Sequence, residues 1–145
     1  MTEKKIKETL KLLIPQLGGI DFALLGTANL KLQGMDFNPN DLDFLVDDTG
    51  INKISKLFKS KITKNSGYLE ICFIIDKIEV HFVSNILNNM RPANFIEHII
   101  IVEKYNLKIP CMSLQSELEA YEKMGRNKDK EKTIALKKKL NFKIN

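Results

Sequence analysis

Two aspartates one residue apart, Asp41 and Asp43, stand in the otherwise apolar stretch "DLDFLVD". Side chains alternate across a strand, so both carboxylates project from one face about 7 Å apart, while Leu42, Phe44 and Val46 turn to the other. Like charges at that spacing repel unless a cation lies between them. A hard divalent ion answers the need: Mg²⁺ binds through one or two carboxylates and completes its octahedron with water and phosphate oxygens. Glu79 in "IEVHF" is flanked by apolar residues in the same way, so three acids are expected to converge. His81 lies two residues on and faces the same side, where it is a candidate to orient a carboxylate, touch a nucleotide or take a proton.

Upstream, Gly26-Thr27 follows the short apolar run "DFALL". Glycine lets the chain leave a strand sharply. A helix opening at Thr27 would aim free amides and the positive end of its dipole outward, with the Thr27 hydroxyl as a further donor. The combination reads as a phosphate cradle facing a metal site.

The elements that must hold these groups are legible from periodicity. Ile6, Leu10, Leu13 and Leu17 recur at helical spacing, with Thr2 as cap and Pro15 as the break. "DFALL" and "DLDFLVD" read as strands, and Thr27 to Gln33 and Gly50 to Ser60 as helices. "YLEICFII" and "IEVHFVS" form a hairpin turning at Asp76-Lys77. Beyond Pro92 three helices are expected, over "ANFIEHIIIVEKY", "SLQSELEAYEKMG" and "KDKEKTIALKKKL". This order predicts an α+β fold with helices packed on the sheet.

In that order, Gly26, Thr27, Asp41, Asp43 and Glu79 resemble the signature of the polymerase-beta-like nucleotidyltransferase superfamily. The chain looks like the small stand-alone members, the minimal and lincosamide-type enzymes, and "IEVHFV" is similar to the acid-x-histidine strand of the latter. The likeness runs from Phe22 to Ser84. It implies a mixed, mainly antiparallel sheet backed by helices with a helical C-terminal region. It further implies transfer of a nucleoside monophosphate from an NTP to a hydroxyl-bearing acceptor, assisted by two Mg²⁺ ions. Asp41 and Asp43 would bind both ions and Glu79 would complete the catalytic one. Gly26 and Thr27 would seat the β and γ phosphates, with Lys31 and His81 as further nucleotide contacts. Thr27 keeps the hydroxyl of the serine more usual there. Where many members carry an arginine or lysine soon after this pair, the chain has Asn29 and then Lys31. Arg126 and Lys130 are additional candidates for the triphosphate. Acceptors of the superfamily include small molecules, proteins and RNA, and its small members work beside a helical partner protein. The alternative on the same scaffold is a non-catalytic nucleotide-binding or antitoxin-like module.

Composition sets the bounds. The 145 residues, 43% hydrophobic, fit one domain over 1–145, with a core about 18–90 and C-terminal helices about 92–140. A charged N-terminus and the lack of a long apolar run predict a cytoplasmic protein without membrane contact. Cys72 and Cys111 read as reduced packing residues. The net charge of +5 is uneven: from Arg126 onward eight basic residues face two acidic ones, so that segment carries +6 and the preceding chain −1. A basic tail of this kind allows a third reading, RNA or DNA binding. No aromatic ladder accompanies it: Tyr68, Tyr105 and Tyr121 are scattered, and His98 has no evident partner.

Overall fold

The computed structural model describes residues 1–65, 67–84 and 90–144. The chain opens with helix α1 (Glu3–Leu13), whose first turn is closed by the Thr2 hydroxyl accepting the Lys5 amide. Pro15 ends it in a single 3₁₀ turn. Strand β1 (Phe22–Leu25) runs directly into α2 (Gly26–Leu32), then come β2 (Leu42–Val46) and α3 (Asp48–Phe58). The Asp47 carboxylate caps α3 by accepting the Gly50 amide at 2.6 Å. Strands β3 (Thr63–Asn65), β4 (Tyr68–Ile75), β5 (Ile78–Ser84), β6 (Ile99–Lys104) and β7 (Leu107–Met112) precede helices α4 (Leu114–Met124) and α5 (Lys130–Ile144).

The strands form one sheet in the order β3-β4-β5-β2-β1-β7-β6. Neighbours are antiparallel except for β5 with β2 and β1 with β7. The architecture is thus a mainly antiparallel mixed sheet with helices, as the motif order implied. Alternation decides which face is which. Phe22, Leu24, Leu42, Phe44, Val46, Val80 and Phe82 form one core with Ile6, Leu10 and Leu13 of α1 and Ile51 and Ile54 of α3. Phe44 and Phe82 stack there at 5.0 Å between centroids, and Phe22 meets Phe44 edge-on at 5.8 Å. The opposite face carries Ala23, Leu25 and Leu45, buried by Phe95 and Met112. A third cluster, Leu30, Leu114, Leu118, Tyr121 and Leu136, ties α2 to α4 and α5.

One expectation is overturned. Residues expected to be helical over "ANFIEHIIIVEKY" form a short 3₁₀ turn (Phe95–His98) followed by β6, which pairs with β7 across Tyr105-Asn106. Both turn residues have positive φ, 57° and 60°, the geometry that matches a two-residue hairpin turn to strand twist. The β-branched run Ile99, Ile100, Ile101, Val102 restricts side-chain rotation in a helix and suits a pleated surface. The C-terminal part is therefore a hairpin followed by two helices. Strand β3 also had no counterpart in the sequence reading. Among the described residues no helix is long and apolar enough to cross a membrane.

Candidate active site

Four strands line up their chemistry in one cross-sheet row. Leu25 of β1 is opposite Asp43 of β2, Asp43 is opposite His81 of β5, and His81 is opposite Cys72 of β4. Registered neighbours point to the same side, so the Asp43 carboxylate, the His81 ring and the Cys72 thiol share a face. Asp41, just before β2, joins them. One ligand atom each from Asp41, Asp43 and His81 falls within 4.8 Å of the other two. His81 is also ringed by acids: Asp41 Oδ2 lies 3.7 Å from Nε2, Glu79 Oε2 3.9 Å from Nε2, and Glu70 Oε1 3.7 Å from Nδ1.

The Asp43 carboxyl is pushed up to about 6, first by burial and then by the charge of Asp41, with His81 and Arg91 pulling it back. Its anion thus lacks enough positive charge around it, which is the condition a bound cation relieves. Two carboxylates and one imidazole match the first coordination shell of a divalent ion that leaves positions open for phosphate oxygens.

The reason Gly26 must be glycine is now visible. Its φ is +67°, and a Cβ there would stand 3.4 Å from Asp43 Oδ2. Its amide donates to Glu117 Oε2 of α4 at 3.2 Å. Glu117 is fully buried, and its other oxygen accepts from Arg91 at 2.7 Å. The Gly26 contact ties the end of β1 to α4, and the ion pair brings a guanidinium to the edge of the acidic cluster.

In front of the acids opens a cleft of about 810 Å³. Gly26, Thr27, Asp41, Asp43 and Glu70 line its sheet side, and Arg91, Arg126, Lys128 and Lys132 bring positive charge to it, with Tyr68 and Tyr121 also in the lining. That volume is of the size that takes a small ligand.

Neither the family models nor the curated proteins searched contain a match to this sequence. A solved structure does match: a Thermotoga maritima protein, provisionally assigned as a nucleotidyltransferase, is 25% identical, with a TM-score of 0.75 over 97% of this chain and 96% of that one. The chain has a nucleotidyltransferase fold.

Within this nucleotidyltransferase fold the residues expected from sequence divide into groups. Asp41, Asp43, Gly26 and Thr27 meet at the cleft. His81 closes the aspartate cluster. Glu79 approaches the pair only through His81, is 58% exposed, and clusters with Cys72 and His81 instead. Lys31 donates to Asn38 Oδ1 at 3.2 Å and is not part of the cleft lining. The helix opens at Gly26, one residue before the expected Thr27, and the Gly26 amide is committed to Glu117. Arg126 lines the cleft and is held by Asp129 at 2.6 Å, whereas Lys130 is not in the lining. Cys111 is buried as expected, but Cys72 is exposed and so is no packing residue.

Sequence reasoning missed Glu70, Arg91 and Glu117. Glu70 carried a signal, because "YLEICFII" puts it in phase with Tyr68 and Cys72. Arg91 and Glu117 gave none, being 26 residues apart and outside any motif.

Proposed function

We propose that the chain is a divalent-metal-dependent nucleotidyltransferase that moves a nucleoside monophosphate from an NTP to a hydroxyl-bearing acceptor. The observation that carries this reading is the Asp41–Asp43 pair on the sheet side of a cleft also lined by Arg91, Arg126, Lys128 and Lys132. Asp41 and Asp43 would hold Mg²⁺, with His81 at the rim of the cluster. When bound, such ions neutralise triphosphate charge and make the acceptor hydroxyl and the departing pyrophosphate better partners for in-line displacement.

The remaining work falls to the chain itself. Arg91, the Arg126 and Lys128 groups between α4 and α5, and Lys132 of α5 would attract and orient the triphosphate, and the Thr27 hydroxyl would donate to it. Two carboxylates compete for the role of third acid. Glu79 has the motif position, whereas Glu70 lies inside the cleft with a less exposed side chain, 21% against 58%. Replacing each with glutamine separates them: the essential acid loses turnover in the variant while nucleotide affinity is retained.

The central test is pyrophosphate release from each NTP in Mg²⁺ or Mn²⁺, with a cell extract as acceptor source, for wild type and Asp43→Asn. Release by the wild type and its loss in the variant is the expected result. Full release by Asp43→Asn would sink the assignment. The engagement of the Gly26 amide by Glu117 favours a second reading, a nucleotide-binding module without turnover, which predicts NTP binding with no pyrophosphate release in any extract.

A further inference from the structure

Beside the aspartates lies a chemically different cluster. Cys72 of β4 is directly opposite His81 of β5, and Glu79 precedes His81 by two residues on the same strand face. Cys72 Sγ and Glu79 Oε2 each lie 3.9 Å from His81 Nε2, and one ligand atom from each of the three falls within 4.8 Å of the other two. For the carboxylate this separation is too long for a hydrogen bond. It is close to the ligand-to-ligand spacing around a tetrahedral ion, where bonds of about 2.0–2.3 Å set donors roughly 3.3–3.8 Å apart.

The back of the ring is supported as well. Nδ1 faces Glu70 Oε1 at 3.7 Å. That is beyond direct hydrogen-bond range, so the acid acts on the ring by its charge, which favours the Nδ1-protonated tautomer and leaves the Nε2 lone pair for a metal. Thiolate, imidazole and one carboxylate suit a borderline-soft ion, whereas Mg²⁺ prefers an all-oxygen shell. Cys72 and Glu79 are exposed, so solvent delivers the ion directly.

We propose that Cys72, Glu79 and His81 bind Zn²⁺ or a similar thiophilic divalent ion. The site is defined by metal binding and does not depend on nucleotidyl transfer being the activity. It shares His81 with the aspartate cluster, where Asp41 Oδ2 is 3.7 Å from the same Nε2. An ion held by the thiolate therefore withdraws the nitrogen that closes the Asp41–Asp43 group.

The test titrates metal-free, full-length protein with Zn²⁺ against a chromogenic chelator, and with Co²⁺ to read thiolate-to-cobalt charge-transfer absorption. Wild type should take one equivalent of Zn²⁺ and show the charge-transfer band. Cys72→Ser should lose the band and weaken Zn²⁺ at least about tenfold. Asp43→Asn should keep the charge-transfer band and change Zn²⁺ affinity far less than Cys72→Ser, because Asp43 shares His81 with the site without ligating its ion. A measurement without substitutions accompanies these: Zn²⁺ should protect Cys72 from alkylation in the wild type, read by peptide mass. The proposal is overturned if wild type fails to compete with the chelator at micromolar Zn²⁺, if Cys72→Ser keeps full affinity, if Cys72 alkylates equally fast with Zn²⁺, or if Zn²⁺ binding follows Asp43 instead.

Discussion

Asp43 sits where the positive-φ turn at Gly26 meets the His81 strand, and its environment costs stability when it is ionised. Its carboxyl is raised from 3.8 to about 6 in the folded chain. Between those values the folded state holds a proton that the unfolded state has released, so the associated stability is present at acid pH and is lost as pH rises from about 4 to 6. The two-unit shift bounds the effect at about 3 kcal/mol. Asp43→Asn should therefore stabilise the metal-free protein at pH 7 by about 1–3 kcal/mol and flatten the profile between pH 4 and 6, measured by urea denaturation in EDTA. A variant no more stable than wild type at pH 7 contradicts this account. Glu117 presents the opposite case. Glu117→Ala breaks the buried ion pair with Arg91 and frees the Gly26 amide, so a loss of about 3–5 kcal/mol is expected from the same denaturation curves. The aspartates were legible because charge inside an apolar alternation is conspicuous. The Arg91–Glu117 pair was not, because a buried ion pair is made by the fold and leaves no local pattern.

At the scale of elements, the two-residue turns hold non-glycine residues in the left-handed region. Asp76-Lys77 joins β4 to β5 with φ of 45° and 70°, so a lysine occupies a left-handed position that glycine adopts freely. Lys77→Gly should raise stability by about 0.5–1 kcal/mol, read as a higher urea midpoint, because the Asp-Gly pair suits this turn. An unchanged or lower midpoint would show that the turn is not strained. This hairpin was readable because two β-rich runs flank a two-residue gap. The β6–β7 hairpin was not, since "FIEHIIIVEKY" spaces its polar residues at intervals that also fit a helix, and Tyr105-Asn106 lacks the glycine that advertises a tight turn. The β-branched run was the signal to weigh more heavily. Helix α1 came through on its Thr2 cap and apolar face and α3 on its apolar face alone, and its Asp47 cap, which sets the start at Asp48, was not read in the sequence.

Across the whole molecule, charge is divided between two walls that the sequence keeps far apart. Asp41, Asp43 and Glu70 bring acids to one side and Arg91, Arg126, Lys128 and Lys132 cations to the other, where Asp129 pairs with Arg126. The uneven charge of the tail was legible as a number, but its use was not, because only the packing of α4 and α5 against α2 turns that segment toward the sheet. Lys128 and Lys132 are the informative members, since Arg126 is already engaged by Asp129. Lys132 stands 5.8 Å from the centre of the Tyr121 ring, which holds its ammonium at the cleft. Exposed charges act on a bound triphosphate over roughly 10 Å at 0.1 M salt and are screened to about 3 Å at 1 M. Replacing both lysines with alanine should therefore weaken Mg²⁺-NTP binding about tenfold at low ionic strength, equivalent to about 1.4 kcal/mol, and much less in high salt. Fold stability should fall by no more than about 1 kcal/mol, because Lys128 is exposed and Lys132 gives up only its contact with the Tyr121 ring. Calorimetric titration with a non-hydrolysable NTP analogue at two salt concentrations reads the effect directly. If affinity is unchanged at low salt, the basic wall does not meet the phosphates, and the nucleotide must enter from the side of Arg91 and Tyr68.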